Sequence, residues 1–120
     1  MVTAKFDYLK EEGTLVMRVS GHAGAGPKGF DLVCAGVSSI AVGIAQVISD
    51  MGFEGKFRKK PNITIREGFV KVVVKPKDQF FAETLHCLFV GEVQLGLMAQ
   101  VHSQFVKLIP FDASIADVSK

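Results

Sequence analysis

Apolar and polar residues alternate through the first twenty positions and then stop alternating. Ala4 to Leu9 reads as a strand with Phe6 and Tyr8 on one face, and Lys10 to Gly13 supplies a turn. From Thr14 to Ser20, Leu15, Met17 and Val19 alternate with Thr14, Val16 and Arg18, which predicts the second strand of a hairpin. Gly21 to Phe30 then carries Gly21, Gly24, Gly26, Gly29 and Pro27, too many breakers for a regular element, and is predicted to be a mobile loop. Beyond it the period lengthens. Asp31 suits a helix N-cap, and the helix is predicted to run to about Met51, with Gly52 closing it. Val33, Val37, Ile40, Ile44, Val47 and Met51 form its expected core stripe. Cys34 and Ser38, four apart, share a second face beside that stripe.

Alternation returns over Lys56 to Ile65 and Phe69 to Val74, two strands around a turn at Glu67-Gly68. Pro61 makes the first of them an edge or bulged strand. Asp78 to about His102 reads as a second helix that is apolar on more than one face, through Phe81, Leu85, Leu88, Phe89, Val93, Leu95, Leu97 and Met98. Such a helix is covered on both sides, which in a chain this short points to a homodimer interface. Phe105 to Ile109 is a candidate last strand. The order is ββαββαβ, so the expected fold class is α/β (α+β): a single domain over residues 1–112, a mixed sheet with two helices, and a loose tail over residues 113–120. No internal repeat, low-complexity tract or linker interrupts it.

Composition changes this picture little. The chain has 120 residues, fitting one domain, and its 48% apolar content is ample for a core. The net charge of +2, from 14 basic and 12 acidic residues, is too mild to imply nucleic-acid binding by charge alone. The run Lys56, Arg58, Lys59, Lys60 reads as a solvated strand edge. Two cysteines, Cys34 and Cys87, fit free thiols in a reducing compartment, and Met1 to Tyr8 holds no cleavable apolar segment, so a cytoplasmic location is expected. Leu32 to Ser49 is free of charge and imitates a membrane span. Ser38, Ser39, Gln46 and Ser49, with helical spacing of the strongest apolar residues, make it a buried amphipathic helix instead.

The chemistry gathers at the junction GHAGAGPKGFDLVCAGVS, Gly21 to Ser38. With Asp31 as N-cap, Cys34 occupies the third helical position, where free N–H groups and the positive end of the helix dipole favour a thiolate. His22 leaves the second strand just before the loop, which can fold back to bring imidazole to thiol. The pair would form a Cys–His dyad, with helix-start N–H groups available to a developing oxyanion. Asp31 is first a cap and second an orienter of His22; Ser38 is a helix-surface hydroxyl that a substrate can reach. Cys87 reads as a small core residue, and His86 and His102 as surface or hydrogen-bonding residues. Gly24 to Gly29 matches GxGxxG, but the strand before it belongs to a hairpin and the chain lacks room for two mononucleotide halves. No CxxC or HxxxH spacing exists, so neither cofactor nor metal is expected.

This string resembles the hallmark of the ribosomal-processing cysteine protease family, Prp, in Gly21-His22-Ala23-Gly24, then Asp31-Leu32-Val33-Cys34-Ala35, then Val37-Ser38. The resemblance implies a homodimeric bacterial cytoplasmic peptidase with Cys34 as nucleophile and His22 as general base. It implies that Asp31, Ser38, Gly21 and Gly24 support the site, and that a hydrophobic groove lies beside Cys34. The implied partner is a large-subunit ribosomal protein, the twenty-seventh of its series, whose short N-terminal extension ending in aromatic residues is removed. No direct nucleic-acid or membrane partner is implied. Gly36 departs from the family's usual alanine, and Pro27 and Lys28 from its usual loop residues. A non-enzymatic ribosome-associated assembly module is the alternative that the small size and basic run leave open. A thiol redox sensor pairing Cys34 with Cys87 is a third.

Overall fold

Alternation of buried and outward side chains builds the sheet. In the computed structural model, which describes residues 1–27 and 31–118, β1 (Val2–Leu9) buries Val2, Ala4 and Phe6. Strand β2 (Thr14–Gly21) buries Leu15, Met17 and Val19 and pairs antiparallel with β1, from Val2 opposite Gly21 to Leu9 opposite Thr14. A 3₁₀ turn at Lys10–Glu12 joins them, with Gly13 in the left-handed region. After helix α1 (Leu32–Phe53), β3 (Asn62–Arg66) and β4 (Phe69–Val74) form a second hairpin, and β4 adds antiparallel to β2. A 3₁₀ turn at Asp78–Phe80 opens helix α2 (Phe81–Val101), and β5 (Val106–Ile109) returns parallel to β1. The strand order is β3-β4-β2-β1-β5, a mixed five-stranded sheet in an α+β domain.

Both long helices lie on the sheet face that carries Phe6, and Gly91 of α2 meets both Ile44 of α1 and the Phe6 ring. Phe6, Leu15, Met17, Ile48, Leu85, Leu88 and Leu95 are fully buried there. Each contributes roughly 1.5–3 kcal/mol by leaving water. Both helices are long and apolar enough to cross a membrane. In α1, Val33, Val37, Ala41, Ile44, Ala45, Ile48 and Met51 are buried within the domain core.

Several elements differ from the sequence expectation. The core stripe of α1 takes Ala41, Ala45 and Ile48, while Ile40 is half-buried and Val47 exposed, because small alanines let α1 approach its neighbours closely. The strand expected from Lys56 begins only at Asn62. The preceding segment pairs instead with the chain just before α2: the Arg58 N–H donates to the Lys75 carbonyl at 2.8 Å and the Lys77 N–H to the Lys56 carbonyl at 3.1 Å, with Phe57 buried and bridged to Pro76; Lys56 also meets Glu83 at 2.9 Å and Arg58 meets Asp78 at 2.7 Å. The outer face of α2 is open in the single chain, leaving Val90, Val93, Leu97 and Val101 exposed. The segment expected as a loose tail holds α3 (Ile115–Val118) with Ile115 buried; just before it Phe111 is buried, its ring tilted against Phe6 and edge-on to Phe89. The last two tail residues, and Lys28, Gly29 and Phe30 of the glycine loop, lie outside the described residues.

Candidate active site

Three local features converge at the C-terminal end of β2. The first is the helix cap. Asp31 Oδ1 accepts the Cys34 N–H at 3.0 Å, as an N-cap should, and Oδ2 accepts the Ala25 N–H at 3.1 Å. The Cys34 N–H chiefly holds the Asp31 carboxyl below the usual carboxylate range. Partial desolvation opposes it and the Ala25 N–H adds to it. One side chain therefore starts α1 and ties the glycine loop to it. Its two carboxylate oxygens thus face the Cys34 and Ala25 N–H groups.

The second feature is the thiol. Cys34 is half-buried on the first turn of α1, and its Sγ accepts a hydrogen bond from the Ala23 N–H at 3.1 Å. Ala23 itself is buried, which fixes this donor. The first-turn donors expected to serve an oxyanion are already engaged: the Cys34 N–H by the Asp31 carboxylate, and the Ala35 N–H by the Asp31 carbonyl at 3.0 Å.

The third feature is the histidine. His22 follows the last residue of β2, and its carbonyl accepts the Met1 amino group at 2.7 Å. The exposed imidazole rests over Gly68, in the turn between β3 and β4, where a Cβ would lie 2.7 Å from Nε2. Gly68 has φ of +70°, and its carbonyl accepts the Gly21 N–H at 2.9 Å. Gly21 is confined as well, since a Cβ there would collide with the Met1 carbonyl. The β3–β4 turn is thus the shelf on which His22 stands.

A cleft of about 660 Å³ unites these features. His22, Cys34, Asp31, Ser38, Gly21 and Gly24 all line it, so every site residue named from the sequence reaches one cavity. Val2, Val37, Val42, Ile65, Phe69 and Val70 give it an apolar wall beside Cys34. Sequence reasoning missed Ala23 and Gly68. The Glu67-Gly68 turn was visible, but nothing local said that His22 would lie on it. The other thiol, Cys87, is half-buried on α2, and burial pushes it up from its ordinary value. Both thiols are free. Among the described residues, no three His, Cys, Asp or Glu side chains converge as a metal would require.

Comparison with known proteins bears on this geometry. The S. aureus ribosomal processing protease Prp, solved with a covalently linked product peptide, is 23% identical, with a TM-score of 0.67 over 92% of this chain and 99% of that one. The same protease with a substrate peptide superposes over the same shares at a TM-score of 0.64. A Streptococcus mutans protein, 20% identical, gives 0.64 over 92% of this chain and 94% of that one. At these identities the likeness shows a shared fold. Comparison with curated protein sequences gives no match. The sequence model of the family described as cysteine protease Prp matches residues 1–107, spanning both long helices and all but the end of the last strand. By that match, this chain belongs to the Prp family of cysteine proteases.

Proposed function

We propose that this protein is an endopeptidase that removes an N-terminal extension from a large-subunit ribosomal protein, the twenty-seventh of its series, using Cys34 as nucleophile and His22 as general base. The observation that carries this reading is one cleft holding both side chains, with the Ala23 N–H 3.1 Å from Cys34 Sγ. Imidazole takes the thiol proton, and Sγ attacks the scissile carbonyl carbon, forming a C–S bond. The tetrahedral adduct collapses with breakage of the C–N bond, and imidazolium delivers the proton to the leaving amine. Water, deprotonated by His22, then attacks the thioester and returns Cys34 to the thiol. Asp31 holds the helix start and the loop in place; Ser38 and the apolar wall face the peptide. The apolar wall suits an extension that ends in aromatic residues.

A cytoplasmic homodimer belongs to the same proposal. The exposed stripe of Val90, Val93, Leu97 and Val101 lies along one face of α2 and would be covered by a second copy. The function is tested by mass spectrometry of the ribosomal protein, bearing its native N-terminus, after incubation with the parent and with Cys34→Ala. A single N-terminal truncation made only by the parent is expected. An uncut substrate beside a folded, reduced parent would favour a non-enzymatic assembly module.

A further inference from the structure

Among the described residues no helix covers the second face of the sheet, and its outward side chains are set in rows by the strand pairing. Lys5 on β1 stands opposite Arg18 on β2, and Arg18 stands opposite Lys71 on β4. On the adjacent row, Lys107 of β5 is opposite Thr3 at one end and Arg66 of β3 is opposite Phe69 at the other. Lys5, Arg18, Arg66 and Lys107 are exposed and Lys71 is half-buried. Among the outward strand positions the one carboxylate is Asp7, 3.8 Å from Lys5 Nζ. The overall charge of +2 hides this arrangement, because the other acidic residues sit in turns, loops and helices.

Like charges placed directly opposite on adjacent strands weaken a sheet. Neighbouring strands are about 4.8 Å apart, so three in-register cations crowd into about 10 Å. The fold does not require them there; an anion laid across the row relieves their repulsion. Two guanidiniums are also held in place: Arg18 lies over the Phe69 ring at 5.3 Å and Arg66 at 4.3 Å. Ordered guanidiniums suit phosphate, whose oxygens accept the paired N–H donors. A membrane surface would call for an apolar anchor among the cations; Val16, Val73 and Ile109 on this face are half-buried within the sheet, Phe69 is half-buried against the two guanidiniums, and the exposed Leu9 lies at the end of β1, beyond Asp7. Arg66 and Phe69 also line the Cys34 cleft, so the basic face runs up to its rim.

We propose that this open face binds the phosphate backbone of nucleic acid, with Lys5, Arg18 and Lys71 as the central contacts. The expectation against a nucleic-acid partner rested on total charge, whereas binding depends on where the charge lies. The proposal is independent of peptide cleavage. Its test is the fluorescence anisotropy of labelled oligouridylate with the parent, followed through a salt series. Binding should weaken with salt, and the triple variant Lys5→Gln/Arg18→Gln/Lys71→Gln should lower the log–log salt slope by about 2, at roughly 0.7 per lost phosphate contact. Lys59→Gln/Lys60→Gln, off this face, should bind as the parent does. With its repulsion relieved, the triple variant should melt no lower than the parent. If it does melt lower, Arg18→Gln alone should still lower the slope by about 0.7. No binding by the parent at low salt, an unchanged slope in the variants, or displacement of the oligonucleotide by polyglutamate at equal charge would overturn the proposal.

Discussion

Gly68 shows how much of the site depends on a residue with no chemistry of its own. Its φ of +70° costs an alanine roughly 1–2 kcal/mol, and an added Cβ would enter the space of the His22 ring. Gly68→Ala should therefore lower kcat/KM by more than its loss of thermal stability explains. Gly13→Ala is the control: it has a similar φ of +59° and no atom within 4 Å of an added Cβ, so it should lose stability and keep activity. Asp31 makes a second residue-scale prediction. Its carboxyl is held below the usual range by the Cys34 N–H, so its contribution to stability is complete above the ordinary carboxylate pKa and is lost as pH falls through the depressed value. Thermal melts of the parent should fall through that acidic window. Asp31→Asn, which cannot ionise, should start lower near neutrality and fall less.

At the scale of the elements, the two long helices meet through glycines of opposite character. A Cβ at Gly36 would touch the free end of the flexible Met98 side chain at 3.1 Å, which can move aside. Gly36→Ala should raise the melting temperature, since alanine gains up to about 1 kcal/mol of helix propensity. A Cβ at Gly91 would meet the β-branched Ile44 at 3.0 Å and 3.4 Å. There overpacking of about 1–3 kcal/mol outweighs the propensity gain, and the melting temperature should fall. Parallel thermal melts of the two variants check both signs. This scale also shows what was legible beforehand. Alternation and period located five strands and two long helices, and Asp31 marked the start of the helix that carries Cys34. The signals were local: a cap, a breaker, a change of period. The late start of β3 was not legible, because Lys56 to Arg58 pair instead with Lys75 to Lys77, more than fifteen residues away. The order β3-β4-β2-β1-β5 and the seating of His22 on Gly68 depend likewise on contacts between distant segments. The packed end of the chain, Phe111 and Ile115, was hidden by polar neighbours.

The molecule as a whole has one helical face, one basic sheet face and a cleft at their common edge. The helical face still exposes Val90, Val93, Leu97 and Val101. Leu97→Glu should shift the sedimenting species from dimer to monomer without unfolding it, because Leu97 is 56% exposed in the single chain. A parent that sediments as a monomer would remove the dimer from the account. In the cleft, a buried Ala23 N–H and a helix cap hold Cys34, and a strand end and a glycine turn hold His22. The most direct measurement is the rate of cleavage of a peptide spanning the processing site by the parent, Cys34→Ala and His22→Ala. No measurable turnover is expected without the thiol, and a loss of roughly a hundred- to ten-thousand-fold without the imidazole. Parent-like turnover by either folded variant would contradict the Cys34–His22 dyad.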